Sequence, residues 1–387
     1  MHTNYFQYRA IVIIALFCFG TLLNVNAQTV SETDSTEFAF LPAVAFNSDL
    51  GLIGGGVFNW YIFKDNVEPF YGFINLSAIV STKGLASFSL FYDKPQAFDR
   101  NIRLTSEIYS SRFFEDAYFG IGNYSIIKSP PENLPVYYQF KSFTAGFRLQ
   151  GRFPLIRPTQ ASQLDANLII NTRYETPWDN GSDRLITRDA PLGIDGGVTS
   201  MIGAGFIWEA RNSEFQPTTG TYASTSLEIG NSLWGSTFDL IVFESELRHY
   251  FTFFLIRDIT FANRVMARFT NGEVPYWKLS YAGDEETLRG FESRRFSDDH
   301  AVLLNSELRT WLFGIPENDM RFGGTLFLDV GRTFAEGTDF STIKNDLKTT
   351  FGFGALASFF TPDFIIRCDF GFSEEGTGVY FTTGFMF

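Results

Sequence analysis

Few residues in this chain are of a kind that performs chemistry, and most of those are charged. There are three histidines. His249 stands in ELRHYF and His300 follows two aspartates, and neither has a second His or a Cys at metal-ligand spacing. No G-x-S-x-G elbow or Walker phosphate loop occurs. GLIGGG at 51–56 matches a glycine-rich loop only loosely, and small strand residues explain it better. With no nucleophile and base pair and no ligand cluster, the chain is expected to be no enzyme and to use no cofactor or metal. The pattern that remains is ionic. Residues 284–296 read DEETLRGFESRRF, with Arg289 between Leu288 and the pair Gly290-Phe291. Downstream, LLNSELRTW carries Glu307 and GGTLFLDVGRTF carries Asp329. One guanidinium can bond two carboxylates through its fork of N–H donors, and a glycine beside it lets the backbone turn sharply.

Whether these groups can meet depends on the elements that hold them. In 300–313 the odd positions Asn305, Glu307, Arg309 and Trp311 form a polar face opposite Leu304, Leu308 and Leu312. In 321–333, Thr325, Phe327, Asp329 and Gly331 oppose Leu326, Leu328 and Val330. This period of two with unlike faces describes strands with one side in apolar surroundings. FIIRCDFGF and GVYFTTGFMF alternate in the same way. Sixteen such segments run from 37–46 to 377–387, including 136–151, 237–250 and 363–372. The long connections 113–135, 175–198, 270–299 and 334–347 all lie on one side. The connections on the other side are mostly short, such as Lys64–Glu68, Phe251–Ile256 and Thr361-Pro362. Even strand number, short turns on one side and long loops on the other describe an all-β transmembrane antiparallel barrel, and an inward-folding loop bearing Arg289 would give Glu307 and Asp329 a guanidinium partner. Closure leaves no unpaired amide in lipid, where each costs several kcal/mol.

Composition agrees. Aromatic residues make up 18%, with 46 Phe and 16 Tyr, yet mean hydropathy is −0.01. No run of 18 apolar residues exists to form a spanning helix. Residues 1–27 read as a signal peptide: Arg9, the apolar run IVIIALFCFGTLL, then Val25 and Ala27 at the small-residue cleavage positions. The run is too short to span, and Phe17 before Cys18 argues against lipoprotein processing. The expected organisation is 1–27 signal peptide, 28–36 short periplasmic segment and 37–387 outer-membrane barrel. Cys368 is then the only cysteine, so no internal disulfide can form. Without Arg9, 29 basic side chains face 43 acidic ones. That balance argues against a nucleic-acid partner and for a polar surface that attracts cations, while the barrel itself is expected to sit in outer-membrane lipid.

Several separated motifs resemble the Omp85 superfamily, whose barrel is also called the bacterial surface antigen or D15 domain. Leu288-Arg289-Gly290-Phe291 is similar to the tip of that family's sixth loop, with Gly283 shortly before it. Phe327-x-Asp329-x-Gly331 and Glu307 resemble its strand motifs. Arg211 followed by Pro217-Thr218-Thr219-Gly220 resembles its periplasmic turn, although Glu209 stands where the family has aspartate. Tyr118-Phe119-Gly120-Ile121-Gly122-Asn123 also has a family look. Phe381, Phe385 and Phe387 resemble the C-terminal signal by which outer-membrane barrels are recognised for insertion. The resemblance implies that Arg289 enters the lumen and pairs with Asp329 and Glu307. It also implies a role in outer-membrane protein assembly or in polypeptide or lipid translocation. The alternative is a passive channel whose acidic lumen prefers cations. The stretch from Gln28 to Phe38 is too short for the family's POTRA domains, so substrate capture is expected from a periplasmic or membrane partner.

Overall fold

The computed structural model describes residues 35–64, 70–124, 136–159, 161–315, 320–359 and 365–387. The expected signal peptide, most of segment 28–36 and the Thr361-Pro362 turn lie outside the described residues. Sixteen antiparallel strands close into a barrel. They are β1 (Ser35–Asn47), β2 (Gly51–Phe63), β3 (Gly72–Ser81), β4 (Ala86–Lys94), β5 (Arg103–Ala117), β6 (Gln139–Thr159), β7 (Ser162–Pro177) and β8 (Gly197–Arg211). Then follow β9 (Gly220–Gly230), β10 (Leu240–Phe254), β11 (Asp258–Gly272), β14 (His300–Ile315), β15 (Met320–Phe334), β16 (Lys348–Ser358), β17 (Ile365–Phe372) and β18 (Thr377–Thr383). Each pairs with its chain neighbours, β11 with β14, and β18 returns to β1. Between β11 and β14, β12 (Ser280–Ala282) and β13 (Phe296–Asp298) form a separate ribbon in the sixth loop.

The alternation is realised inside out, as a lipid solvent requires. On β14, Leu304, Leu308 and Leu312 point outward, whereas Asn305, Glu307 and Arg309 are at most 3% exposed. Asn305 sits opposite Asp329 in the register of β14 and β15, which places both carboxylate-bearing faces on the lumen side. On β15, Leu326 and Leu328 face outward. Apolar packing inside the molecule is correspondingly confined. One cluster at the long-loop end gathers Tyr118, Phe140, Ile186, Phe238, Tyr276 and Trp277. A second, of Ala282, Leu288, Phe291, Phe296 and Leu303, holds the sixth loop against the wall.

Two expectations need correction. The last strand does not run to residue 387 but ends at Thr383. Gly384 adopts φ +77°, and the following residues turn into the lumen, where Phe387 packs on Tyr250 and Ala262. The alternating sequence GVYFTTGFMF could not reveal this, because a glycine at strand spacing reads like any small strand residue. The β6–β7 hairpin is also longer than the expected 136–151 and 163–174, reaching Thr159 and starting again at Ser162. Pro154 and Pro158, which cannot donate to a ladder, lie where β6 outruns β5 and blunt that free edge.

Candidate functional site

The sixth loop is built to deliver one side chain. The β12–β13 ribbon brings both loop ends together in the lumen. Asp284 Oδ1 then accepts from the Glu286 amide and the Thr287 hydroxyl, and Thr287 Oγ1 accepts from the Gly283 amide. This turn aims Leu288, fully buried, into the second apolar cluster. Gly290 follows at φ +102°, a conformation that costs a side-chain-bearing residue but not glycine. Space demands glycine there too, since a Cβ at Gly290 would lie 2.9 Å from the Gly371 carbonyl carbon. A Cβ at Gly371 would in turn lie 2.7 Å from that of Arg289. Loop tip and β17 wall touch backbone to backbone.

Arg289 is 0% exposed. Its Nε donates to Asp329 Oδ2 at 2.9 Å and Nη2 to Asp329 Oδ1 at 2.8 Å, a two-pronged pair. Nη1 donates to Glu307 Oε1 at 2.6 Å and to Asp369 Oδ2 at 2.9 Å. The Phe327 ring lies under the guanidinium, 3.4 Å from its centroid to Cζ. Asn305 donates to Asp329 and to the Thr287 carbonyl, joining loop and wall. Three carboxylates around one arginine would leave excess negative charge in a dry site. The wall supplies the balance: Arg309 pairs with Glu307 at 2.7 Å and Arg367 with Asp369 at 3.1 Å. Three guanidiniums thus meet three carboxylates, which is how charge is tolerated away from water. Burial by itself lowers the affinity of the Arg289 guanidinium for its proton, and Asp329, Glu307 and Asp369 together more than reverse this, so its pKa is raised.

The tip is fastened on its other side as well. The Gly290 amide donates to the Tyr380 hydroxyl at 3.0 Å, and Ser373 donates to the Gly290 carbonyl. Arg295, 2% exposed, pairs with Glu375 at 2.6 Å. The sequence brings Arg289, Glu307 and Asp329 together and sets Arg309 on the polar face of Glu307, but it does not assign Asp369, Tyr380, Arg367 or the Arg295–Glu375 pair to the site. A signal for Asp369 existed, since it stands on the polar face of FIIRCDFGF. Nothing in the sequence said that this face also reaches the loop.

The remaining motif residues fall as follows. Gly331 lies beneath Leu288, and a Cβ there would come 3.3 Å from that side chain. Phe381 is 42% exposed on the outer face. Phe385 and Phe387 lie inside, their rings 4.1 and 4.9 Å from Arg309 Cζ, so the three do not share one face. Glu209, the departure in the turn motif, still pairs with Arg211 at 2.6 Å. Within 118–123, the Gly122 amide donates to the Ser297 carbonyl, laying that segment over the sixth loop. The arrangement is a buried ionic clamp. What it can do chemically is hold a loop in a barrel.

The Omp85 superfamily domain matches residues 73–387. No curated protein sequence matches the chain. Among solved structures, BamA from Haemophilus ducreyi lacking POTRA domains 1–3 superposes with a TM-score of 0.60 at 15% identity, over 92% of this chain and 71% of that one. CdiB from Escherichia coli gives 0.59 at 12% identity over 92% and 68%, and CdiB from Acinetobacter baumannii 0.56 at 12% over 91% and 66%. These likenesses are in fold; the match over most of the sequence carries the family. This chain belongs to the Omp85 superfamily.

Proposed function

We propose that the protein resides in the outer membrane and assists assembly of other barrels, or translocation of polypeptide or lipid, by parting its wall between β1 and β18. The observation that supports this is the seam itself. β1 and β2 pair through thirteen residues and β17 and β18 through seven, but β1 and β18 share one register pair, Asn47 with Tyr380. Just beyond it Ser48 adds a short patch of bonds to Val379: its amide and hydroxyl donate to the Val379 carbonyl, and its hydroxyl accepts from the Val379 amide at 2.8 Å. Below it, β18 has ended and its chain has turned inward. Ser35–Phe46 therefore has no register partner across the seam among the described residues. An unpaired strand edge in lipid is a template for another strand. Pro42, with no amide to donate, weakens the edge further. A passive channel draws less support, because the sixth loop and residues 385–387 both occupy the lumen.

The test is a disulfide across the seam. Asn47→Cys with Tyr380→Cys, in a Cys368→Ser background, is reconstituted in liposomes beside an unfolded outer-membrane barrel. Reduced protein should speed folding of that client over empty liposomes, oxidised protein should not, and reductant should restore it. Equal rates in both states would sink the seam reading. Cation conductance without any client effect would favour the channel.

A further inference from the structure

The short seam is not held by its strands alone. The sixth loop touches both of its edges at the one place where they meet. On the β18 side the Gly290 amide donates to Tyr380. On the β1 side Asn47 Nδ2 donates to Glu285 Oε2 at 2.9 Å, and the Ser293 amide donates to Asp49 Oδ1 at 3.3 Å. Asn47 and Tyr380, the register pair itself, are 3% and 1% exposed under the loop.

The β1-side contacts are chemically odd, because they set acid against acid. Asp49 in the β1–β2 turn faces Glu285, Glu292 and, further along, Asp284 and Glu286 from the sixth loop. Lys83 faces it from the β3–β4 turn, and the Tyr380 hydroxyl from β18. Glu115 and Asp116 from the end of β5 line the same cavity, about 420 Å³ in volume. Among the described residues Lys83 is the single cation lining it, and it donates to the Ser48 carbonyl at 2.8 Å. Asp49 Oδ2 is buried with no hydrogen-bond partner among the described residues, which leaves it free to carry a proton. We propose that the sixth loop is a proton-controlled clasp on the seam, docked on the β1–β2 turn while Asp49 is protonated and loosened when it ionises.

Burial first, and Glu285 next, push the Asp49 carboxyl up from 3.8 to about 7. Asp284 is raised in the same way, to about 8. A carboxyl whose pKa is higher in the docked state binds its proton more tightly there. Docking is therefore favoured most below the free value and is lost as pH rises through the docked one. This inference builds on the seam as the moving part, but its test reads loop docking and not transport, so either can fail alone.

Hydrogen exchange of the full barrel in detergent, corrected for intrinsic rates, reports protection of the Gly290 and Ser293 amides at pH 6 and pH 8. Between these values the docking equilibrium should weaken by at least about tenfold in the wild type. Asp49→Asn should lose about tenfold less than the wild type, what is left being the share of Asp284. Glu292→Gln, which removes one repelling carboxylate, should move the loss to lower pH and serves if Asp49→Asn does not fold. A flat wild-type profile overturns the clasp, as does a loss in Asp49→Asn as large as the wild type's.

Discussion

At the scale of single residues, the three arginines of DEETLRGFESRRF are not equivalent, and burial ranks them. Removing one partner from a buried ion pair strands the other, at about 3–5 kcal/mol, whereas exposed pairs are worth about 0–1 kcal/mol. Arg289→Ala strands Asp329, Glu307 and Asp369 against only Arg309 and Arg367. Arg295→Ala releases Glu375, which is partly solvated at 27% exposure and can rehydrate. Arg294 is half-buried, with its guanidinium 5.4 Å from the Tyr281 ring. Limited proteolysis within 275–297 should accelerate in the order Arg289→Ala, Arg295→Ala, Arg294→Ala. Asp329→Asn and Glu307→Gln should loosen the loop while leaving the barrel closed. Similar, small effects from all three arginine substitutions would mean a solvated loop. Glu307 and Asp329 were legible because strand parity alone decides which way a side chain points. Arg295 was not, since its partner Glu375 lies in another loop, and no periodicity links two loops.

At the scale of elements, the sequence disclosed strands better than it disclosed where they stop mattering. Alternation locates β14 and β15 closely because lipid on one side and a polar lumen on the other impose opposite demands on successive residues. The same rule misleads at the chain's end, where Phe385 and Phe387 keep strand spacing but leave the wall. Phe381 and Phe387 therefore answer to different environments. Phe381→Ala exchanges a ring for lipid contact on the outer face. Phe387→Ala vacates a packed site on Tyr250 and removes the ring stacked on Arg309, while Arg309 keeps its bond to the residue 387 carbonyl. Thermal unfolding in detergent should show the larger loss of midpoint for Phe387→Ala. A larger loss for Phe381→Ala would place the tail back in the wall.

At the scale of the whole molecule, stability is distributed unevenly around the barrel. A closed ladder of sixteen strands makes each wall strand depend on two neighbours, so detergent alone should not open it. Unboiled protein is expected to run apart from boiled protein on a mild-detergent gel, and identical mobility would contradict closure. Within the folded barrel, exchange should follow pairing. β14 is bonded on both sides, to β11 through ten register pairs and to β15 through fifteen, and its lumen face carries the ionic clamp. β1 has β2 on one side and a single register pair on the other. Local opening costs least where the fewest bonds must break. Amides of Ser35–Phe46 directed toward β18 should therefore exchange well before those of Leu303–Arg309, in the same sample and at one pH. Oxidising the Asn47→Cys, Tyr380→Cys pair should slow exchange in β1 near the tether and leave β14 unchanged. Uniform protection around the barrel would mean that the seam is no weaker than the rest of the wall, and strand exchange at β1 would lose its physical basis.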